Sequence, residues 1–377
     1  MAEAFKHLLN SDLVRGAAAH LQRQWPAFDA AAFSADATRG LAALEMKQRA
    51  MHIAAALQRH LPADFDAAAS LIEAALAPPA QDERLGEMRL SDAGLAGWIL
   101  WPVGEFVVRQ GMAHPERALR GLHALTQRFS AEFAIRPFIA THPELAFATL
   151  ARWVHDPNLH VRRLVSEGSR PRLPWGMRLR ALVADPSPSL PLLRALQDDA
   201  SAYVRRSVAN HLNDIAKDHP RLIADWLAAH LPGASAKRRA LLKHASLTLI
   251  KSGDARVVAA WGLGGRFRGE ARFAIKPARV ALGGAVLLTL ALESTAARAT
   301  QSLAIDYVVH HVKADGSTSP KVFKGWQVKL APHATLLLEK THSLKAVTTR
   351  TYRAGRHRVV VQVNGRPLAE AAFTLRV

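Results

Sequence analysis

Cysteine is absent from this chain of 377 residues. Disulfide bonds, thiolate zinc sites and a cysteine nucleophile are therefore excluded. Long apolar segments are missing as well, because no run of about 18 apolar residues occurs. Residues 1–40 also lack an apolar core followed by a small-residue cleavage site. We therefore expect a soluble, cytoplasmic protein with no membrane contact.

Acidic residues are scarce relative to basic ones. Fifty Lys and Arg residues oppose 31 Asp and Glu residues, which gives a net charge of +19. From residue 266 to the end, 18 basic and 6 acidic residues account for +12 of that charge. Such a surplus indicates an anionic partner rather than a particular fold. Because 49% of the residues are hydrophobic, a substantial core is possible and disorder is not expected.

The fold class follows from a change of periodicity near residue 262. Up to residue 260, apolar residues recur with helical spacing. Two segments 43 positions apart, Asp156-Pro-Asn-Leu-His-Val-Arg-Arg and Asp199-Ala-Ser-Ala-Tyr-Val-Arg-Arg, are nearly superposable. A spacing of roughly 40–47 residues is typical of HEAT repeats. We therefore predict an α-solenoid of HEAT-like helical repeats over residues 1–262.

Local signals mark where the predicted helices begin. His-Pro dipeptides at positions 114, 142 and 219 place proline in the first turn of three helices, where its missing N–H costs nothing. Further helices are predicted over residues 130–141, 158–167, 201–218 and 237–251. Asp156 and Asp199 stand just before two of these, and we interpret them as N-caps rather than catalytic acids.

The C-terminal part has the pattern of a β-domain. Beyond Gly262-Leu-Gly-Gly, which we interpret as a hinge, apolar residues alternate with a period of two. Strands are predicted over residues 285–292, 303–312, 322–330, 335–338 and 358–363. Asn364-Gly365 predicts a hairpin, because both central residues of that turn need a positive φ. About seven short strands are typical of an immunoglobulin-like β-sandwich, here over residues 266–377.

Arginine pairs recur along the predicted helices and would stack into a basic track for DNA phosphates. The residues assigned to phosphate binding are Arg136, Arg162, Arg163, Arg170, Arg205, Arg206, Arg238, Arg239, Arg353 and Arg356. The last two belong to an arginine-rich turn of the sandwich. There, a phosphate-contacting loop and a solvated run of charge fit the sequence equally well.

Carboxylates accompany the arginines at helical spacing. Glu132 and Glu167 each stand four positions from an arginine, and Asp214 stands eight positions beyond Arg206. Since residues four apart share a helix face, stacked helices would bring these carboxylates together on the concave surface. Carboxylates in a basic groove repel phosphate, but they can stabilise a cation. The alternative is ordinary ion pairing within each helix.

Aromatic residues are candidates for ligand contact. Trp175 lies in a proline-rich loop, where it either fills a gap between repeats or contacts a ligand. Trp98 and Trp101 are interpreted as core residues, and Glu105 beside them is a weak candidate.

Neither a metal nor a cofactor is expected. The 18 histidines contain no His-Glu-x-x-His motif, and the glycine pairs lack the strand-turn-helix context of a phosphate loop. His310 and His311 fall in a predicted strand, where neighbouring side chains point to opposite faces, so joint metal binding is not expected.

Two stretches resemble the AlkC branch of bacterial DNA alkylation-repair glycosylases: Ser130-Ala-Glu-Phe-Ala-Ile-Arg-Pro-Phe and Asp156-Pro-Asn-Leu-His-Val-Arg-Arg-Leu-Val-Ser-Glu-Gly-Ser-Arg-Pro-Arg-Leu-Pro-Trp. The resemblance covers most of residues 1–260, and some members also carry a C-terminal immunoglobulin-like domain. It implies hydrolysis of the N-glycosidic bond of cationic alkylated bases, 3-methyladenine and 3-methylcytosine in particular, at the start of base excision repair. It also implies that the lesion stays largely within the duplex, which departs from the general rule of base flipping.

The resemblance further implies which residues form the site. Glu132, Glu167 and Asp214 would be catalytic, and Phe133 and Trp175 would contact the lesioned nucleotide. The implied partner is double-stranded DNA containing alkylated bases, bound by a monomer at the bacterial nucleoid. The competing hypothesis is a non-catalytic DNA-binding protein or helical-repeat adaptor, although an adaptor has no use for carboxylates within its basic track.

Overall fold

A computed structural model describes residues 5–263, 266–347 and 350–377. Its helices precede its long strands, so the predicted order of a helical region followed by a β-domain is confirmed. The predicted hinge falls partly on Gly264 and Gly265, which lie outside the described residues.

The helices of the described residues are mostly short. In chain order they are α1 (Ser11–Gln24), α2 (Ala30–Thr38), α3 (Met46–His60), α4 (Phe65–Ala74), α5 (Leu100–Gly111), α6 (Pro115–Thr126), α7 (Ile135–Thr141), α8 (Pro143–Trp153), α9 (Leu159–Gly168), α10 (Arg180–Ala184), α11 (Leu190–Leu196), α12 (Ala202–Ile215), α13 (Pro220–His230), α14 (Ala236–Ala245), α15 (Leu247–Ser252) and α16 (Ala255–Ala260). None of these helices is long and apolar enough to span a membrane.

Proline sets the start of three helices as the sequence predicts. Pro115, Pro143 and Pro220 are the first residues of α6, α8 and α13. Proline is tolerated there because the first helical N–H groups have no partner within the helix. The predicted His-Pro starts are therefore confirmed.

The N-caps of α9 and α12 differ from the prediction. Asn158 and Ser201 cap these helices through their side-chain oxygens. Asp156 and Asp199 lie two residues earlier, and each accepts the backbone N–H of the cap residue at 2.8 Å. The capping role predicted for Asp156 and Asp199 is therefore wrong. Each aspartate instead stabilises the turn before the helix, and the cap is the residue two positions later.

Two predicted helices are shorter than expected. Residues 132–134 form a turn, and α7 begins only at Ile135. Pro137 explains this start, because its ring would clash with the carbonyl of Phe133 if the helix began earlier. The predicted helix over residues 237–251 is interrupted at Ser246, between α14 and α15. Glu132 therefore lies on a turn and not on a helix.

Eight strands form two sheets in the described residues. They are β1 (Gly269–Lys276), β2 (Arg279–Ala281), β3 (Ala285–Ser294), β4 (Gln301–Val312), β5 (Thr318–Leu330), β6 (Thr335–Ser343), β7 (Gly355–Val363) and β8 (Arg366–Arg376). One sheet has the order β1-β3-β6 and the other the order β2-β8-β7-β4-β5. Residues that alternate along the strands, such as Leu288 and Leu290 of β3 and Val309 of β4, form the shared core. The predicted sandwich is confirmed.

The turn between β7 and β8 also follows the sequence. Asn364 has a φ of +52° and Gly365 a φ of +76°, both in the left-handed region. Asparagine and glycine are the residues that tolerate this conformation best, so the predicted hairpin is confirmed.

The chain divides into two compact units. One contains Met1–Asp218 and Ser235–Ala245, and the other contains His219–Ala234 and Ser246–Val377. The second unit therefore includes α13, α15 and α16 as well as the sandwich. The domain boundary predicted near residue 262 stays a prediction.

Candidate active site

Arg163 on α9 joins two of the predicted catalytic carboxylates. Its guanidinium pairs with the carboxylate of Glu132, and one of its nitrogens lies 3.5 Å from Oε1 of Glu167. It also donates to Oγ of Ser130 at 2.7 Å. Since the Arg163 side chain is only 15% exposed, these contacts form where little water competes with them.

Arg170 extends these ion pairs to the third carboxylate. Its Nη1 lies 2.6 Å from Oε1 of Glu167, and its Nε lies 2.8 Å from Oδ2 of Asp214. Lys217 donates to the other oxygen of Asp214 at 2.7 Å. We call the six residues the carboxylate network: Glu132, Arg163, Glu167, Arg170, Asp214 and Lys217.

Glu167 is held in its ionised form. Burial alone would raise the pKa of Glu167, but Arg163, Arg170 and the hydroxyl of Ser207 outweigh burial and leave that pKa below its usual value. Burial likewise opposes the charge of Arg163, yet Glu132 and Glu167 raise the pKa of Arg163 above its usual value. A buried carboxylate remains charged here because cations and hydroxyl donors replace its water.

Two residues that support the network were missed in the sequence. Ser207 on α12 donates to Oε2 of Glu167 at 2.6 Å. His211 lies one turn later, and its Nδ1 is 2.9 Å from the carbonyl oxygen of Ser166. Burial lowers the pKa of His211 to about 3, so the ring is neutral and donates this bond. Ser207, His211 and Asp214 share one face of α12, and that spacing is the signal that could have revealed them.

An aromatic cavity lies beside the network. It has a volume of about 270 Å³, and it is lined by Trp98, Trp101, Phe129, Ser130, Glu132, Phe133, Glu167, Arg170, Leu173, Pro174 and Trp175. The ring centroids of Trp101 and Phe133 are 5.3 Å apart, and those of Trp98 and Phe129 are 5.2 Å apart. Because Trp98 and Trp101 are half-buried and face this cavity, interpreting them as core residues was wrong. Glu105 accepts from Nε1 of Trp101 at 3.2 Å.

Trp175 is the most exposed large aromatic residue of the site. Its side chain is 84% exposed, so the alternative in which it fills a gap between repeats is wrong. Its φ is +61°, a left-handed conformation that costs a residue with a bulky side chain on the order of 1–2 kcal/mol. The loop therefore presents this ring to solvent at an energetic cost.

Two of the predicted phosphate-binding arginines are buried. Arg136 is 0% exposed and donates to the carbonyl oxygens of Met177 and Gly168 at 2.6 and 2.8 Å. Burial lowers the pKa of Arg136 to about 10. Arg170 is 8% exposed and is occupied by the two carboxylates described above. The prediction that Arg136 binds phosphate is wrong, because a phosphate cannot reach a side chain with no exposed surface. Arg170 lines a cavity together with Glu167, and its phosphate-binding role stays a prediction.

Three other predicted arginines have partners nearer the surface. Arg162 makes two hydrogen bonds to Asp199 at 2.6 and 3.1 Å. Arg205 donates to backbone carbonyls that precede α12, and Arg238 pairs with Asp198. These contacts orient the side chains and leave their phosphate-binding role a prediction.

Basic side chains also line a groove of about 430 Å³ between α12 and α14. They are those of Arg205, Arg206, Lys237 and His244, and the first two were among the predicted arginines. Arg206 and Arg239 are exposed on these helices.

The sandwich presents exposed arginines and a buried histidine. Arg353 and Arg356 are exposed near the start of β7. His311 is 5% exposed, whereas its neighbour His310 is partly exposed, as expected for alternate residues of a strand. Within the described residues, no group of three or more His, Asp or Glu side chains has the geometry to hold a metal ion.

Known proteins are similar to this chain over its whole length. Residues 270–377 match the family model described as "Uncharacterised protein YhaZ, C-terminal Ig-like domain". The chain is 34% identical over 363 residues to the "Uncharacterized protein YhaZ" of Bacillus subtilis (strain 168), which covers 96% of both proteins. Its structure is similar to that of Pseudomonas fluorescens alkylpurine DNA glycosylase AlkC bound to DNA containing an abasic site analog, with a TM-score of 0.90, 35% identity and 100% of both chains covered.

Proposed function

This chain belongs to the AlkC family of DNA glycosylases, and from that membership we propose that it removes cationic alkylated bases from double-stranded DNA. The proposed substrates are 3-methyladenine and 3-methylcytosine, and the proposed reaction is hydrolysis of the N-glycosidic bond. The observation that carries the proposal is the carboxylate network beside an aromatic cavity, since ionised acids at such a place suit a reaction that develops positive charge.

The chemistry places its main demand on the sugar. An N3-methylated base leaves as a neutral molecule from a cation, so no strong general acid is required. As the bond breaks, positive charge moves onto the deoxyribose. Glu167, which lines the aromatic cavity, would stabilise that charge electrostatically and would orient or deprotonate the attacking water. Asp214 is 2% exposed and is paired with Arg170, so it would act on the site through that arginine. Glu132 would complete the negative side of the site.

The arginines of the network resolve the conflict between acids and DNA. Three carboxylates alone would repel the phosphates of the bound strand. Arg163, Arg170 and Lys217 balance their charge and fix their oxygens. The carboxylates are thus oriented before substrate binds, and no reorganisation is needed as the oxocarbenium ion forms.

We further propose that the lesion stays largely within the duplex and is approached from the sugar-phosphate side. The aromatic cavity supports this proposal, because its ring faces lie beside Glu132 and Glu167, where they can contact a sugar. In this arrangement Phe133 and Trp175 contact the lesioned nucleotide from the backbone side.

The DNA backbone would be held by exposed cations. Arg206 and Arg239 on the helices and Arg353 and Arg356 on the sandwich are exposed, which supports this proposal. Such contacts are independent of sequence, as a search for scattered lesions requires. We assign the sandwich a role in affinity and none in the chemical step.

The direct test is release of methylated bases. Full-length protein is incubated with methylated genomic DNA, and the released bases are separated by chromatography. The proposal requires 3-methyladenine or 3-methylcytosine in the soluble fraction. Protein that binds the DNA and releases neither base would instead support the non-catalytic DNA-binding alternative.

A further inference from the structure

A short loop, residues 80–84, lies across the N-terminal ends of α9 and α12. His160 in the first turn of α9 donates from Nε2 to the carbonyl oxygen of Asp82, with a separation of 2.8 Å. Asn158, the N-cap of α9, donates to the carbonyl oxygen of Ala80 at 3.2 Å. Burial lowers the pKa of His160, so its ring is neutral and donates through one nitrogen.

The same loop holds the start of α12 through a carboxylate. Oε1 of Glu83 accepts from Oγ of Ser201 at 2.6 Å and from the backbone N–H of Tyr203 at 3.3 Å. A carboxylate at a helix N-terminus is stabilised by the unpaired N–H groups there. These hydrogen bonds, led by that from Ser201, hold the pKa of Glu83 below its usual value. Glu83 therefore fixes where the first turn of α12 lies.

The ring of Tyr203 connects this helix start to the candidate site. It packs edge-on against His160 with ring centroids 5.7 Å apart. The guanidinium carbon of Arg163 lies 5.2 Å from the centroid of the Tyr203 ring. A guanidinium at that distance is attracted to the ring face, and the attraction is stronger where water is largely excluded.

Arg163 needs such support because of the bonds it must make. It contacts Ser130, Glu132 and Glu167 at once. The flexible stem of an arginine loses side-chain entropy when it is held in one conformation. A rigid ring against the guanidinium lowers the number of alternative positions and favours the one that bridges both carboxylates.

We propose that Tyr203 is a positioning residue for Glu132 and Glu167, acting through Arg163, and that Glu83 in turn positions Tyr203. The expected effect on the rate of base release rests on the proposed function. The expected effect on the position and charge of Glu167 does not. Tyr203 and Glu83 do not line the aromatic cavity, and the proposal adds them to the residues on which the reaction depends.

The first test compares Tyr203→Leu with Tyr203→Phe. Phenylalanine keeps the ring face, whereas leucine removes it and keeps an apolar side chain. We expect Tyr203→Leu to lower the single-turnover rate of base release at least about tenfold, because small misplacements of reacting groups have large effects. We expect Tyr203→Phe to stay within about twofold of wild type. Equal rates for the two variants would overturn the proposal.

A second measurement needs no activity. In protein labelled with ¹³C at glutamate side chains, the carboxyl signal of Glu167 is followed during a pH titration. Loosening Arg163 removes a positive neighbour, so the pKa of Glu167 should rise in Tyr203→Leu and stay unchanged in Tyr203→Phe. An unchanged Glu167 titration in both variants contradicts the positioning role. If wild type releases no base while this difference is present, the proposed function fails and the positioning role stands.

Glu87, four positions after Glu83 in the sequence, is the matched control for substitutions of Glu83. Glu87 is exposed and forms a surface contact with Arg84, at 3.8 Å. We expect Glu83→Ala to shift the Glu167 titration in the same direction as Tyr203→Leu, and Glu83→Gln, which keeps an acceptor oxygen, to shift it less. Glu87→Ala should have no effect. A Glu83→Ala protein that titrates like Glu87→Ala would remove Glu83 from the proposal.

Discussion

At the scale of single residues, the charge of Glu167 is the clearest test of the proposed chemistry. Glu167→Gln keeps the size of the side chain and an oxygen that accepts from Ser207, but it removes the negative charge. We expect single-turnover release of 3-methyladenine to fall about 10²–10³-fold, as for loss of one preorganised electrostatic group. Affinity for duplex DNA, measured by fluorescence anisotropy, should stay at the wild-type level.

Glu144 is the matched control for this substitution. It is an exposed glutamate in the first turn of α8, away from the network. Glu144→Gln should retain both rate and affinity. A Glu167→Gln protein with full activity would show that the carboxylate has no part in the reaction.

Single residues also show what sequence could and could not predict. Spacing of four along a helix correctly brought Arg163 and Glu167 together. The recurrence of arginines along the repeats gave Arg136 the wrong role, since only the packed structure shows that its guanidinium points inward to the carbonyls of Gly168 and Met177. Ser207 was missed because a lone serine has no charge pattern, and its bond to Glu167 joins residues 40 positions apart.

At the scale of elements, the loop that carries Trp175 combines strain with exposure. Trp175→Gly removes the exposed ring and allows the positive φ without penalty. We expect the melting temperature to stay equal or rise, because an 84% exposed side chain contributes little to the core. We expect base release to fall about tenfold or more, because the nucleotide loses a contact that orients it.

The control for this loop is Trp175→Phe, which keeps an aromatic face at the same backbone position. It should retain most of the activity with an unchanged melting temperature. Wild-type rates in Trp175→Gly would show that the ring has no part in catalysis, and a lower melting temperature would show that it serves the fold.

Elements with a local chemical signal were predicted well, and those without one were not. Proline at the first position predicted the starts of α6, α8 and α13, and Asn364-Gly365 predicted a hairpin, since each follows from backbone sterics of one or two residues. The late start of α7 also has a local cause, the ring of Pro137, which the sequence reading did not use. The interruption at Ser246, between α14 and α15, has no proline or glycine to mark it. The aromatic cavity depends on packing between distant segments, because its walls come from three separate stretches of chain.

At the scale of the whole molecule, the basic surplus of the C-terminal part predicts a contribution to DNA affinity. In the double variant Arg353→Gln/Arg356→Gln, we expect weaker duplex binding and a slope of log affinity against log salt that is reduced by up to about two, since each lost phosphate contact lowers it by about one. The single-turnover rate at saturating protein should not change.

Arg298→Gln serves as the comparison, because Arg298 is also an exposed arginine of the sandwich. Arg298→Gln removes one positive charge, as each substitution of the double variant does, but from a different part of the sandwich. If the double variant and Arg298→Gln have the same slope of log affinity against log salt, the arginine-rich turn does not contact DNA.

The core of the sandwich makes its stability depend on pH. His311, His342 and His357 are each at most 5% exposed. Burial, with positive neighbours such as Arg350, lowers the pKa of His311 to about 3 and that of His342 to about 4. Burial lowers the pKa of His357 as well. The rings of His311 and His342 are therefore neutral in the folded sandwich at pH 5, whereas in the unfolded chain histidines bind protons below a pKa of about 6.5.

The sign of the effect follows from this difference. Above about pH 6.5 both states are neutral and the sandwich has its full stability. As the pH falls below that value, the unfolded state gains protons that the folded state cannot take up. The free energy of unfolding should therefore fall by up to about 1.4 kcal/mol per pH unit for each buried histidine. The loss continues until the pH approaches the folded pKa values.

The measurement is hydrogen–deuterium exchange in β4 and β7 of the full chain, corrected for intrinsic rates, between pH 7 and pH 5. We expect protection to fall with pH in wild type, and to fall less in His311→Leu, because one of the three buried titrating groups is gone. His333→Asn replaces an exposed histidine at a positive φ, which asparagine tolerates, and should retain the full wild-type dependence. Equal pH dependence in wild type and His311→Leu would mean that His311 finds a partner for its charged form in the folded sandwich.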